Sequence, residues 1–190
     1  MNEFYVLRNK GMRGEAICFP GNIPNSEFDE SLILRNLGLP DKQVIYSPCL
    51  GKRFFDFNMV TAALNLISEK VYMLLVNNKI TGWKGIPAVI HKHDDLKYYL
   101  LTITGRCGPI DKSKTIIVDS TNLIHGQTVK AYQGLYFSED NWDGSDMFVS
   151  EYVNHTFITD RVKVLFEKNK VTNIEITNTK DFQWLHITPW

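Results

Sequence analysis

The sequence predicts an α+β fold in which two or three helices pack against a mixed or antiparallel sheet. Two observations predict it. Short stretches rich in β-branched and aromatic residues alternate with two amphipathic helical patterns along the 190 residues. In addition, a helix-then-strand pattern occurs twice, in residues 68–90 and in residues 159–176, and this indicates an internal repeat.

Each copy of the pattern begins with the signals of a helix start. Ser68 and Thr159 stand at the N-cap position, where a hydroxyl accepts hydrogen bonds from the free amides of the first turn. An acidic residue follows each of them, where the helix dipole favours negative charge. Apolar residues at positions i, i+3 and i+4 then form one stripe in each copy. They are Val71, Leu74 and Leu75 in the first and Val162, Leu165 and Phe166 in the second.

Each helix is predicted to end in a turn that leads into a strand. Lys79 and Lys170 stand near the helix ends, where a cation complements the negative pole. Gly82 and Asn173 follow, and both residue types tolerate the positive φ that a turn requires. The extended residues 86–90 and 174–176 come next.

The other elements are predicted from alternating apolar residues and from turn residues. Strands are expected at residues 3–7, 16–19, 44–46, 97–103, 115–118, 131–132, 134–137 and 147–149. Short helices are expected at 31–36 and within 59–67. Residues 97–103 carry apolar side chains on both faces, which predicts a central strand. The polar segment 22–43 contains Pro24 and Pro40 and is the least regular part.

Length and composition predict a single domain over residues 1–190, with an optional division into an N-terminal lobe, 1–58, and a main body, 59–190. The formal net charge is zero, which argues against a large positively charged surface for binding nucleic acid.

The N-terminal residues lack a signal-peptide pattern, and no apolar run is long enough to span a membrane. Three widely spaced cysteines argue against a disulfide framework. We therefore expect a cytoplasmic protein without a cofactor.

Residues 138–146 form the sharpest surface feature of the sequence. Four carboxylates surround one tryptophan within nine residues, and their spacing does not fit an EF-hand calcium loop. One interpretation is a soluble acidic hairpin loop. The other is a partner-binding loop, in which Trp142 is the buried anchor and three acids steer a basic partner. Those acids are Asp140, Asp143 and Asp146.

Two other groups of residues offer weaker chemistry. His91, His93 and Asp95 could bind a divalent metal ion. Two histidines at i and i+2 near a strand end would point to the same side of the strand. The alternative is a solvated loop that leaves the strand at Ile90, and we predict no metal site. Cys107 lies in a glycine-rich turn and could be a nucleophile, but a lone cysteine is more often a small buried apolar residue.

Three stretches in order carry a resemblance to a known family. The first is a Ser-Glu-Lys helix at 68–70 that runs into Gly82 and the Ile-Pro pair at 86–87. The second is the tyrosine-rich strand 98–101 that leads to the Ile-Asp pair at 110–111. The third is the phenylalanine strand 147–150, followed by the second helix. Over roughly residues 60–180 this order resembles a family of bacterial immunity proteins from polymorphic toxin systems, long catalogued as a domain of unknown function. The second helix has Thr159 in place of Ser and Asn173 in place of Gly.

The resemblance implies a non-enzymatic protein that binds and blocks a cognate toxin domain, with no direct contact to nucleic acid or membrane. Its motif residues are architectural and bring no catalytic residues with them. They are Ser68, Glu69, Gly82, Tyr99, Asp111 and Phe148. Two alternatives remain open at this point: a small metal-dependent hydrolase that uses His91, His93 and Asp95, and a regulatory binding module.

Overall fold

The computed structural model describes residues 2–23, 28–38, 43–121 and 128–185. The predicted breaks at Pro24 and Pro40 lie outside these residues. The helices of the described part are α1 (Glu30–Leu34), α2 (Glu69–Asn77) and α3 (Asp160–Lys168). The first seven strands are β1 (Phe4–Asn9), β2 (Ile17–Pro20), β3 (Ile45–Leu50), β4 (Phe57–Met59), β5 (Asn65–Ser68), β6 (Trp83–Ile90) and β7 (Tyr98–Ile103). The others are β8 (Gly105–Arg106), β9 (Ile116–Thr121), β10 (Thr128–Gln133), β11 (Met147–Val149), β12 (Thr156–Thr159), β13 (Ile174–Asn178) and β14 (Gln183–Leu185).

The described strands form three sheets of mixed orientation. A six-stranded sheet has the order β2-β3-β6-β7-β5-β4, and a five-stranded sheet has the order β13-β1-β12-β11-β8. A smaller sheet has the order β14-β10-β9. Most neighbouring strands are antiparallel, whereas β3 with β6 and β8 with β11 are parallel. The fold is therefore α+β, with mixed sheets and three helices, as predicted.

The helix α2 connects two strands of the six-stranded sheet. Strand β5 leads into it and β6 follows it, and β7 pairs antiparallel with both of these strands. Leu100 of β7 consequently lies opposite Leu66 on one side and Ile86 on the other. Strand β4 pairs with the outer side of β5. We call β4, β5, α2, β6 and β7 the first helix unit.

The helix α3 connects two strands of the five-stranded sheet. Strand β12 leads into it and β13 follows it, and the strand that pairs with both is β1, from the start of the chain. Val6 lies opposite Phe157 on one side and Thr177 on the other. Strand β11 pairs with the outer side of β12. We call β11, β12, α3, β13 and β1 the second helix unit. Residues from both sides of the predicted division at residue 58 share this sheet, and the division itself stays a prediction.

Both helices lie where their apolar stripes predict. The fully buried stripe residues are Val71 and Leu75 in α2 and Val162 and Phe166 in α3. Ser68 caps α2 by accepting a hydrogen bond from the amide of Val71. Thr159 occupies the corresponding position of α3, but its side chain accepts no capping hydrogen bond, and its hydroxyl donates to Asp146 instead. No helix in the described ranges is long and apolar enough to cross a membrane.

Strand β1 separates two hydrophobic cores. Its alternate side chains point to opposite faces, so that Tyr5 and Leu7 join the larger core, which also contains the buried stripes of α2 and α3. Phe4 and Val6 point the other way, into a smaller core that is rich in phenylalanine. A strand that is buried on both faces belongs in the centre of a sheet, and β1 is central in the second helix unit.

The short helix predicted within residues 59–67 is wrong. This region contains the end of β4, a turn and the start of β5, and the hydroxyl of Thr61 accepts hydrogen bonds from the amides of Ala63 and Leu64 in the turn. Leu66 and Ile67 are both fully buried in the strand that follows. An apolar run of this length fits a buried strand as well as a helix, and pairing with β7 decides for the strand. The strand predicted at 134–137 is also wrong.

His155 predicts a pH-dependent loss of stability. Its ring contacts the Phe182 ring, with 4.9 Å between the centroids, and burial together with the charge of Arg8 lowers its pKa from 6.5 to about 4. Between these two pH values, His155 binds a proton in the unfolded chain but stays neutral in the folded protein. The free energy of unfolding should be highest above pH 6.5 and should fall by as much as about 3 kcal/mol as the pH drops towards 4.

Urea unfolding at pH 7.0 and pH 4.5 measures this loss, and the variant His155→Gln is the control because glutamine does not ionise. The difference between the two pH values should be smaller in the variant. An unchanged difference would show that His155 is not its source.

Candidate functional site

The acidic turn, residues 138–146, divides into an exposed part and a buried end. A single turn of 3-10 helix, Glu139–Asn141, begins it, and the chain then runs towards β11. Asp140 and Asp143 are exposed, as is Glu139, whereas Asp146 is only 8% exposed. The predicted site therefore presents an acidic surface, but one of its predicted members is not on that surface.

Trp142 attaches the acidic turn to the smaller core. Its ring meets the Phe4 ring nearly edge-on at a centroid distance of 5.0 Å and lies 5.8 Å from the Phe148 ring. The indole N–H donates to the carbonyl oxygen of Ser145 at 3.0 Å, so the polar tip of the side chain is satisfied within the turn. Trp142 thus anchors the turn to its own protein, and its contact with a partner stays a prediction.

Asp143 is exposed, yet its carboxylate is held in one orientation. One oxygen accepts from the amide of Arg106 at 2.8 Å, and the other accepts from the amide of Ser145 at 3.0 Å. The amide of Asp143 in turn donates to the carbonyl of Arg106 at 3.0 Å. At the start of the turn, Glu139 accepts a hydrogen bond from the side chain of Asn2 at 3.0 Å. The acidic surface is therefore braced at two points.

The carboxylate of Asp146 binds inside the protein, which corrects the prediction that it is a steering charge at the surface. It accepts hydrogen bonds from the amide and the hydroxyl of Thr81, at 3.0 and 3.1 Å, and from Arg161 at 3.0 Å. Its own amide donates to the Thr81 hydroxyl, and its carbonyl accepts from the amide of Thr159. Asp146 therefore joins the start of α3 to the turn between α2 and β6.

Asp56 makes the reciprocal connection, and the sequence analysis missed it. Its carboxylate accepts from the amide and the hydroxyl of Thr172, at 2.9 and 3.0 Å, and from Lys70 at 2.9 Å. Its amide donates to the Thr172 hydroxyl, and its carbonyl accepts from the amide of Ser68. We call the contacts of Asp56 and Asp146 the aspartate ties. Each aspartate directly precedes the first strand of its helix unit, and this shared position was a readable signal.

Each of the two ties includes an ion pair, with Lys70 for Asp56 and with Arg161 for Asp146. Burial of the Asp56 carboxylate opposes its ionisation, but hydrogen bonds from Lys70, Thr172 and Ser68 together outweigh that effect, so its pKa lies below the usual value. Asp146 forms its ion pair with Arg161, whose side chain is 56% exposed. Both carboxylates are nearly covered, with side-chain exposures of 11% for Asp56 and 12% for Asp146.

The histidine cluster lies in a turn rather than along a strand. Strand β6 ends at Ile90, and Lys92 adopts a φ of +63°, which breaks the alternation that would align His91 with His93. His91 is exposed, whereas the ring of His93 packs against Phe54 with 5.1 Å between centroids. The solvated-loop interpretation fits this geometry. Across the described ranges, no group of three His, Cys, Asp or Glu side chains is placed to hold a metal ion.

Cys107 is a buried core residue. It belongs to the smaller core, and burial, with lesser contributions from Asp143 and Glu151, raises its thiol pKa to about 12. A thiol with so high a pKa is protonated at neutral pH and is a poor nucleophile.

Comparison of the chain with protein-family models and with curated proteins gives no match in either case. The assignment of a function therefore depends on the geometry described above and on the resemblance noted in the sequence.

We predict that the substitution Asp146→Asn destabilises the fold by about 1–3 kcal/mol, because the hydrogen bonds that Thr81 and Arg161 donate then lose their charged acceptor. Asp140→Asn is the matched control, since Asp140 is exposed in the same turn and its change should stay within about 0.5 kcal/mol. Urea denaturation at pH 7 gives both values. Equal stabilities of the two variants would contradict a structural role for the tie at Asp146.

Proposed function

We propose that this protein is an immunity protein that binds a cognate bacterial toxin domain in the cytoplasm and blocks it by stoichiometric occlusion. The observation that carries the proposal is the preorganised acidic turn. Its exposed acids, Glu139, Asp140 and Asp143, stand on a backbone that Trp142 fixes to the smaller core. A surface that is already ordered loses less conformational entropy when a partner binds, so more of the contact energy appears as affinity.

The chemistry of the acidic turn indicates a basic partner. Clustered carboxylates accelerate encounter with a positively charged surface and discriminate against acidic ones. A toxin that cleaves or modifies nucleic acid needs a basic site for phosphates, and the acidic turn would occupy that site in place of the substrate. A complete interface of this kind typically buries about 1,200–2,000 Å², so surfaces beyond the turn take part.

The resemblance to immunity proteins of polymorphic toxin systems supports the same proposal. Its motif residues are architectural in the described fold: Ser68 caps α2, and Phe148 lies in the smaller core. A regulatory binding module could use the same acidic surface, and only protection from a toxin separates it from an immunity protein. The hydrolase alternative relied on alignment of His91 with His93, which the turn at Lys92 removes.

We also infer that the two helix units are an internal structural repeat. The support is a shared set of neighbours: a short outer strand, an entry strand, a helix, an exit strand and a central strand that pairs with entry and exit strands alike. Lys79 and Lys170 both have positive φ after the helix, as do Gly82 and Asn173. The central strand of the second unit comes first in the chain, so this repeat is permuted.

The most direct test is protection of cells. We expect a neighbouring gene to encode a toxin domain whose expression stops growth of a host cell, and co-expression of the present protein should restore that growth. The two purified proteins should also form a complex of defined stoichiometry. Continued growth arrest despite normal levels of folded protein would reject the immunity function for this pair.

A charge reversal tests the surface. We expect Asp140→Lys to weaken binding of that toxin domain at least tenfold, because it places a cation opposite a basic site. The control is Asp94→Lys, which makes the same change at an exposed acid in the turn between β6 and β7. Calorimetric titration at two salt concentrations gives the affinities. Equal affinities for the two variants would remove the acidic turn from the interface.

A further inference from the structure

A surface pocket opens at the edge of the smaller core, and we call it the aromatic pocket. Its volume is about 210 Å³. An apolar cavity of about 150 Å³ binds benzene, so the aromatic pocket has room for one bulky apolar side chain. The residues that line it are mostly apolar, and they are Pro109, Ile110, Lys112, Tyr152, Val153 and Trp184.

The smaller core holds most walls of the aromatic pocket in place. Ile110 and Trp184 pack against that core, and Val153 is one of its buried residues. The Trp184 ring also packs against the Tyr132 ring, with 4.8 Å between the centroids. Tyr152, by contrast, is 59% exposed and forms the accessible wall. A pocket whose walls are already ordered can accept a side chain at a low cost in conformational entropy.

The aromatic pocket adjoins the acidic turn. The chain that leads to Pro109 runs along this turn, since the carbonyl oxygen of Arg106 accepts from the amide of Asp143 at 3.0 Å. Two residues further on, Gly108 lies so close to Asn141 that a Cβ on the glycine would stand 3.0 Å from the Asn141 Cβ. The next residue, Pro109, already lines the pocket. The pocket and the acidic turn therefore belong to one continuous surface.

This continuous surface carries more negative than positive charge. Glu151 is exposed and directly precedes Tyr152 in the chain, so together with Glu139, Asp140 and Asp143 it gives four exposed carboxylates. Lys112 contributes one positive charge to the lining, and a lysine stem can cover apolar surface while its ammonium group reaches water. An apolar pocket with acidic surroundings is complementary to an apolar side chain with basic neighbours.

We propose that the aromatic pocket receives a bulky apolar side chain carried on a basic segment of a protein partner. This inference rests on the proposed function, because it extends the acidic turn to a two-part contact with the basic toxin domain. The carboxylates steer the approach of the partner, and the buried apolar side chain slows its dissociation. Side chains buried in well-packed pockets supply most of the binding energy of an interface, whereas charges at the rim supply little.

The first test needs no toxin and uses the full chain with three short peptides. One peptide has a phenylalanine between lysines, the second has alanine in place of the phenylalanine, and the third has glutamates in place of the lysines. In NMR titrations the first peptide should shift the amide signals of Tyr152 and Val153 and the indole signal of Trp184. The other two should bind about tenfold more weakly. Equal binding of the first two peptides would overturn the pocket as a binding site, and equal binding of the first and third would overturn the basic partner.

The second test uses Tyr152→Ala, which removes the accessible wall of the pocket. This variant should bind both the lysine peptide and the toxin domain about tenfold more weakly. The control is Phe19→Ala, because Phe19 is another partly exposed aromatic residue, 48% exposed on β2, and thermal melting checks that both variants fold. Equal affinities of the two variants for the toxin domain would overturn the pocket and leave the immunity function intact. Binding of the lysine peptide at the pocket without binding of the toxin domain would reject the immunity function alone.

Discussion

The aspartate ties fix how the two helix units meet, and the rest of the structure depends on them. Each tie spans the boundary between the units: Asp146 binds Thr81, and Asp56 binds Thr172. Both carboxylates are nearly covered, so their hydrogen-bond donors have to replace the water that the two aspartates lose on folding. Each unit therefore needs the other in place. This mutual requirement selects one relative placement of α2 and α3 from the many that apolar contacts alone would allow.

The same constraint positions the candidate site. The acidic turn ends at Asp146, so the tie that joins the helix units also fixes one end of the turn, while Asp143 and Trp142 fix its middle. Gly82 makes this fit close, since its φ is +81° and a Cβ there would lie 1.9 Å from the carbonyl oxygen of Met147. The exposed carboxylates consequently stand on a turn that is held at its end and in its middle. The contacts that hold these carboxylates in place are therefore the same contacts that hold the fold together.

The sequence predicts the parts of this molecule whose causes are local. The helices α2 and α3 follow from their stripes and from adjacent residues, and the turns after them follow from Gly82 and Asn173. By contrast, residues 59–67 form a turn and a strand because β5 pairs with β7. The apolar pattern of residues 59–67 does not indicate that pairing. The sequence also could not show that Asp140 is exposed while Asp146 is buried. They lie six positions apart in one acidic run, and the partner that buries Asp146 is Thr81, 65 residues distant in the chain.

The two copies of the inferred repeat are alike in their buried residues and differ in their exposed ones. At one matched position the two units use different chemistry for the same contact: the ring of Tyr72 stacks on Tyr99 at 4.0 Å, whereas the ammonium of Lys163 lies 4.9 Å above the ring of Tyr5. The outer faces differ further, because α2 exposes Met73 and α3 carries ion pairs around Lys163. The buried stripes and the aspartate ties stay alike in both units. A scaffold that tolerates such exchange on its outside, while its inside is fixed, can vary its surface without losing its fold, which is what the proposed binding of one particular partner would require.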